Sequence, residues 1–80
     1  MDQGAFKRGR RQAIETLSAW RELGYRSYAE CQRRLRCMCR QELTEAQERL
    51  LLAQKPERRD FWLRHIDFLS GYLDGLYERE

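Results

Sequence analysis

Proline is nearly missing from this 80-residue chain: Pro56 is the only one, and five glycines complete the short supply of helix breakers. With so little turn chemistry, most residues must sit in regular structure. No stretch shows the apolar–polar alternation of a half-buried strand, which leaves helix. Long apolar runs are also lacking. The longest are Leu50-Leu51-Leu52-Ala53 and Phe61-Trp62-Leu63, far short of the roughly 20 residues that span a bilayer. Three cysteines, an odd number, argue against a disulfide framework and for a reducing, cytoplasmic setting. The basic residues of segment 1–11 have no apolar segment behind them, so a signal peptide is not expected.

What is present is an evenly mixed chain. Hydrophobic residues make up 41% and charged residues 36%, too mixed for a disordered tail and too polar for a membrane protein. A chain this short buries only about 60–65% of its unfolded surface, and small scaffolds commonly compensate with disulfides, a metal or self-association. The net charge of +3 is unevenly spread: residues 1–43 carry 10 Lys/Arg against 5 Asp/Glu, residues 44–80 carry 6 against 8. The expected fold is all-α, a small bundle of three or four helices in a single domain 1–80, with the basic segment 1–11 a candidate flexible end.

Helical periodicity places a first helix over about 5–23. Phe6, Ala13, Leu17, Trp20 and Gly24 fall within ~60° on a helical wheel, and Gly24 stands where a helix-closing glycine belongs. Ser27-Tyr28-Ala29-Glu30 is a capping box, opening a helix that is expected to bury Tyr28, Cys31, Leu35, Met38 and Cys39. Thr44-Glu45-Ala46-Gln47 resembles a second capping box and slightly favours a break or kink at 43–44. Yet Leu43, Ala46, Leu50 and Ala53 stay in phase with Tyr28, Leu35 and Cys39, so one helix over 28–54 also fits. The last helix starts after Pro56 and runs to about Tyr77, with Trp62, Ile66, Leu69, Leu73 and Leu76 as its core face.

That last helix carries a second apolar stripe. Phe61, His65, Phe68 and Tyr72 lie roughly 80–100° around from the first face, beside Gly71 and Gly75. Either the helix is central and packed on both sides, or these six residues form a dimer or partner interface. Arg33, Arg36 and Arg40 line the side opposite Tyr28 and Leu35. With Lys7, Arg8, Arg10 and Arg11 they make a ridge suited to an anionic partner, or simply a solvated face. Asp60, Asp67, Asp74 and Glu78 form an acidic stripe, first of all a solvated face, which can also face the ridge within the fold or across a dimer, or mimic a phosphate backbone.

Catalytic chemistry finds no footing: the single histidine lies on the aromatic stripe, and no serine or cysteine has an activating context. Cys37 and Cys39 point ~160° apart on a helix, so Cys31, Cys37, Cys39 and His65 do not make a metal site. No cofactor is implied. These features favour a non-catalytic helical regulator, homodimeric, that binds a larger protein and modulates its activity. In size and composition alone such a chain is similar to the small regulators of phages and mobile elements, antirepressors and inhibitors of host enzymes. The alternatives are a small basic nucleic-acid-binding protein, for which the usual motifs are lacking, and a structural subunit of a larger assembly.

The capping box yields the first test. Ser27→Ala is expected to destabilise the protein by about 1 kcal/mol; an unchanged denaturation midpoint would remove Ser27 as the start of its helix.

Overall fold

A computed structural model describes residues 2–78. It contains three helices, α1 (Gln3–Ser18), α2 (Tyr28–Leu52) and α3 (Pro56–Gly75), and no strand among the described residues. The segment 1–11, read above as a candidate flexible end, is helical from Gln3 onward. The Asp2 carboxylate caps α1 by accepting from the Ala5 amide at 3.1 Å, while the Asp2 amide donates to the Asp67 carboxylate at 2.7 Å. That first hydrogen bond, assisted by the charges of Arg8 and Arg64, holds the Asp2 carboxyl below its usual value.

The regular part of α1 stops at Ser18, before the expected Leu23, because the amides of Ala19 and Trp20 turn to carbonyls three residues back. One further turn follows, and Gly24 closes it as the sequence requires. Its φ is +90°, its amide donates to the Arg21 carbonyl, and the Tyr25 amide donates to the Trp20 carbonyl. This is the paired hydrogen bonding of a Schellman ending, which needs a left-handed residue at the glycine position.

Helix α2 is continuous for 25 residues, so the break expected at 43–44 does not occur. The Thr44 hydroxyl donates back to the Arg40 carbonyl at 3.1 Å instead of capping a new helix. At the other end, Ser27 Oγ accepts from the Glu30 amide at 3.0 Å, and Glu30 accepts from the Arg26 amide at 2.9 Å, one residue earlier than the usual capping box. The last carbonyls of α2, at Leu50 and Ala53, are taken by the Arg59 guanidinium of α3, both at 3.2 Å. Cys31 and Cys39 are buried as expected, whereas Met38 is exposed. It sits ~100° around from Cys39, on the flank of the stripe that meets α3.

The three helices share one centre, α3. Cys39 of α2 meets Leu69, and Gln32 reaches the Leu76 carbonyl, so α2 runs antiparallel to α3. Phe6 lies against Gly71 and Arg10 against Gly75, so α1 runs parallel to it. These two contact faces are about 160° apart around α3, and α1 barely touches α2. Leu17, Cys31 and Leu76 are the largest fully buried side chains, one supplied by each helix or its end.

The α1–α3 contact is made by backbone. Ala5, Gly9 and Ala13 on α1, all buried, oppose Gly71 and Gly75 on α3. A Cβ added at Gly71 would fall on the Phe6 carbonyl oxygen, one at Gly9 on the Phe68 carbonyl oxygen, and one at Gly75 would lie 2.6 Å from the Arg10 carbonyl oxygen. Glycine to alanine inside a helix ordinarily gains up to about 1 kcal/mol from backbone entropy. Here the sign reverses, because relief requires the two helices to separate. Gly71→Ala is expected to cost at least about 2 kcal/mol, while Gly4→Ala, whose Cβ would meet no backbone and only Arg8 Nη1 and the capping Asp2 Oδ1 at 3.3 Å, is expected to cost far less. Denaturant titration of both variants checks the contrast.

Candidate docking surface

Helix α1 is offset along α3, with Arg10 already level with Gly75 at the end of α3. Its start, at Asp2, is level with Asp67 and Arg64, so residues 56–63 of α3 extend about 12 Å beyond it. The C-terminal turns of α2 run alongside them. The result is a two-helix arm projecting from a three-helix body, in a molecule 43 Å long and 17 Å across its narrowest dimension. Seven large hydrophobic side chains are exposed among the described residues, and four belong to this arm: Leu51 (82%), Leu52 (78%), Phe61 (57%) and Leu63 (47%).

The aromatic stripe is divided by the end of α1. Gly71 and Gly75, grouped above with the candidate partner face, are buried against α1 inside the chain and present no surface. Phe68 and Tyr72 stack on each other at 6.4 Å and are half-buried. Burial pushes the Tyr72 phenol above its usual value. Phe61 and His65 lie on the other side of the division, on the arm. With Trp62 they form a three-ring cluster: Phe61–Trp62 at 5.0 Å edge-on, Phe61–His65 at 6.1 Å stacked, Trp62–His65 at 5.8 Å edge-on. Of the six candidate interface residues, then, Gly71 and Gly75 are buried, His65, Phe68 and Tyr72 are partly exposed and Phe61 is exposed, with Phe61 and His65 on the arm.

The basic ridge is not one patch. Arg10 is bound at 3.0 Å by both Asp74 and Glu78. Arg36 stacks over the Tyr77 ring at 4.7 Å, and Arg40 donates to the Tyr77 hydroxyl. Arg33 is exposed, whereas Arg36 and Arg40 are both engaged by Tyr77. Lys7, Arg8 and Arg11 are exposed on α1, which lies across α3 from the α2 arginines. The acidic stripe does face basic and amide donors within the fold, but on α1: Asp67 takes the Asp2 amide, and Asp74 and Glu78 take Arg10.

Several of these features escaped the sequence reading. Gly9 and its flanking alanines at positions 5 and 13 carry a spacing of four that matches Gly71 and Gly75, and that signal was available. Tyr77 as the organiser of Arg36 and Arg40 depends on how α2 lies against the end of α3, and the exposure of Leu63 on where α1 begins along α3; no local pattern records either. No helix is long and apolar enough to cross a membrane, and no group of three or more His, Cys, Asp or Glu side chains converges among the described residues. Compared with protein-family models, with curated proteins and with solved structures, the chain matches none.

The three cysteines are free and differ sharply in environment. Cys39 is buried, donates to the Leu69 carbonyl at 3.4 Å, and burial pushes its thiol up to about 11. Burial also raises the Cys31 thiol, whereas Cys37 is exposed. Thiolate is the reactive form, so alkylation of the folded protein at pH 8 is expected to modify Cys37 alone. Peptide mapping after a brief iodoacetamide pulse checks this; equal labelling of Cys39 would show that the α2–α3 interface opens.

Proposed function

We propose that the chain is a non-catalytic, homodimeric helical regulator that docks on a larger protein and modulates its activity. The projecting arm carries this reading. A small protein gains nothing in its own stability from Leu51, Leu52, Phe61 and Leu63 held in water. Exposed apolar side chains gathered on one projecting element and rimmed by charge mark a candidate protein–protein contact. The arm is so rimmed, by Arg49, Lys55, Arg58 and Arg59 and by Glu48, Glu57 and Asp60. Three unpaired thiols, two of them buried, fit a reducing compartment, and we place the protein in the cytoplasm. The likeness to phage and mobile-element regulators continues to rest on size and composition.

The arm has two usable sides. On the wheel Leu51 and Leu63 turn one way, Leu52 and Phe61 the other. Leu63 lines a shallow depression with Asp2, Asp60, Arg64 and Asp67. We assign this side to the larger partner.

Affinity purification from the source cells tests the assignment. The unaltered protein should retain one partner in stoichiometric amount, and Leu51→Glu with Leu63→Glu should reduce retention by about tenfold or more, since each charge would have to be desolvated at the contact. Both side chains are exposed, so circular dichroism should be unchanged. Equal retention by the variant, or no retained protein, overturns the reading. Binding to generic duplex DNA with a log–log salt slope of roughly one per phosphate contact would put the nucleic-acid alternative in its place.

A further inference from the structure

The opposite side of the arm is charged in a pattern that specifies its occupant. At its inner end a depression is lined by Glu42, Glu45, Ala46, Arg49, Trp62 and His65. Towards the tip a second depression shares Arg49 and Trp62 and adds Leu52, Lys55 and Arg58. The face is thus acidic at one end, basic at the other and aromatic between, with the Phe61–Trp62–His65 cluster at its middle. None of the five charged residues Glu42, Glu45, Arg49, Lys55 and Arg58 enters an ion pair among the described residues. The ion pairs that do form lie elsewhere.

We infer that this face binds a second copy of itself, the two arms lying antiparallel about a two-fold axis through the Phe61–Trp62 level. The inference deepens the homodimer part of the function proposed above and rests on it. A two-fold contact brings each patch against its own copy, head against tail, so a face with opposite charges at its two ends is self-complementary only in that orientation. The spacing fits. The Cys39–Leu69 and Gln32–Leu76 contacts fix which residues of α2 and α3 are level, and on that scale Glu42 lies about 7 Å inward of the axis and Arg58 about 5 Å outward of it. Glu45 and Arg49 straddle the axis more closely. Glu42 therefore meets the partner's Arg58, and Glu45 meets the partner's Arg49. Between them the two ring clusters come together, and large aromatics in the dry centre of a contact supply most of its affinity. A bilayer surface or a generic acidic partner would engage the basic end and be repelled by Glu42 and Glu45. A second copy satisfies both ends.

Charge exchange tests the inference, because all four residues are exposed and the fold should tolerate their reversal. Sedimentation of the unaltered protein at tens of micromolar is expected to show a dimer. Glu42→Arg with Glu45→Arg, and separately Arg49→Glu with Arg58→Glu, should each raise the dissociation constant by about tenfold or more, since like charges then face one another. Mixing the two variants should restore a dimer containing one of each, and the chain carrying all four reversals should dimerise with itself. If the unaltered protein is a monomer, both the homodimer and this face are wrong. If it is a dimer that neither reversal weakens, or that mixing does not restore, the homodimer stands and this face and orientation are overturned.

Discussion

Glycine at positions 9, 71 and 75 lets α1 and α3 approach until carbonyl oxygens of one helix lie over the Cα atoms of the other, and the remaining architecture follows from how little room that leaves. Helices separated by ordinary side chains pack with axes 8–10 Å apart; backbone contact requires less. An α1 drawn so close to α3 leaves little side-chain volume between the two helices. The larger apolar side chains of α3 therefore serve α2 on the other side, through Trp62, Ile66, Leu69 and Leu73. Helix α3 becomes the middle layer, and α1 and α2 meet only where Leu17, Cys31 and Leu76 close the core.

The charges are sorted by the same geometry. The surplus of acid in the second half of the sequence and of base in the first is partly cancelled where α1 lies along α3, through Arg10 with Asp74 and Glu78 and through Asp2 with Arg64. Exposed pairs of this kind contribute little stability individually, and they join the first ten residues to α3 at two points, Asp2 and Arg10. Because α1 begins only at the level of Arg64, the N-terminal turns of α3 and the C-terminal turns of α2 are left with a single interface, and their outward apolar groups with none.

Helix content, the caps at Ser27 and Gly24, the start after Pro56 and the core face Trp62–Leu76 were all legible, because each depends on neighbours within a few residues. The continuity of α2 through Thr44 was not. A hydroxyl that can cap a new helix or bond back within an old one leaves the same local pattern, and the choice is made by α3 packed along Leu43, Ala46 and Leu50. The wide apolar surface of α3 was recognised, yet its cause was divided between an internal neighbour and a partner. The internal neighbour accounts for part of it: α1 lies against Gly71 and Gly75, with Phe68 and Tyr72 partly buried beside them, whereas Phe61 is exposed and His65 partly so. The dividing point is the N-terminus of α1, set by the pairing of Asp2 with Asp67 across 65 residues of sequence, beyond the reach of any periodicity.

The carbonyl oxygens of Phe6, Arg10 and Phe68 each occupy the space where a Cβ would stand on the facing glycine, close enough for Cα–H···O contacts, which are individually weak. Their consequence is a fixed register. Sliding α1 along α3 by one residue would replace a glycine under a carbonyl with a residue bearing a side chain, Tyr72 or Arg10 among them, and the close approach would be lost. The α2–α3 interface is instead a side-chain one, with Trp62, Ile66, Leu69 and Leu73 packed in one core with Leu35, Cys39, Leu43 and Ala46. One interface of this small protein therefore sets position and the other supplies apolar burial, and the three glycines do the first without adding a single hydrophobic side chain to the core.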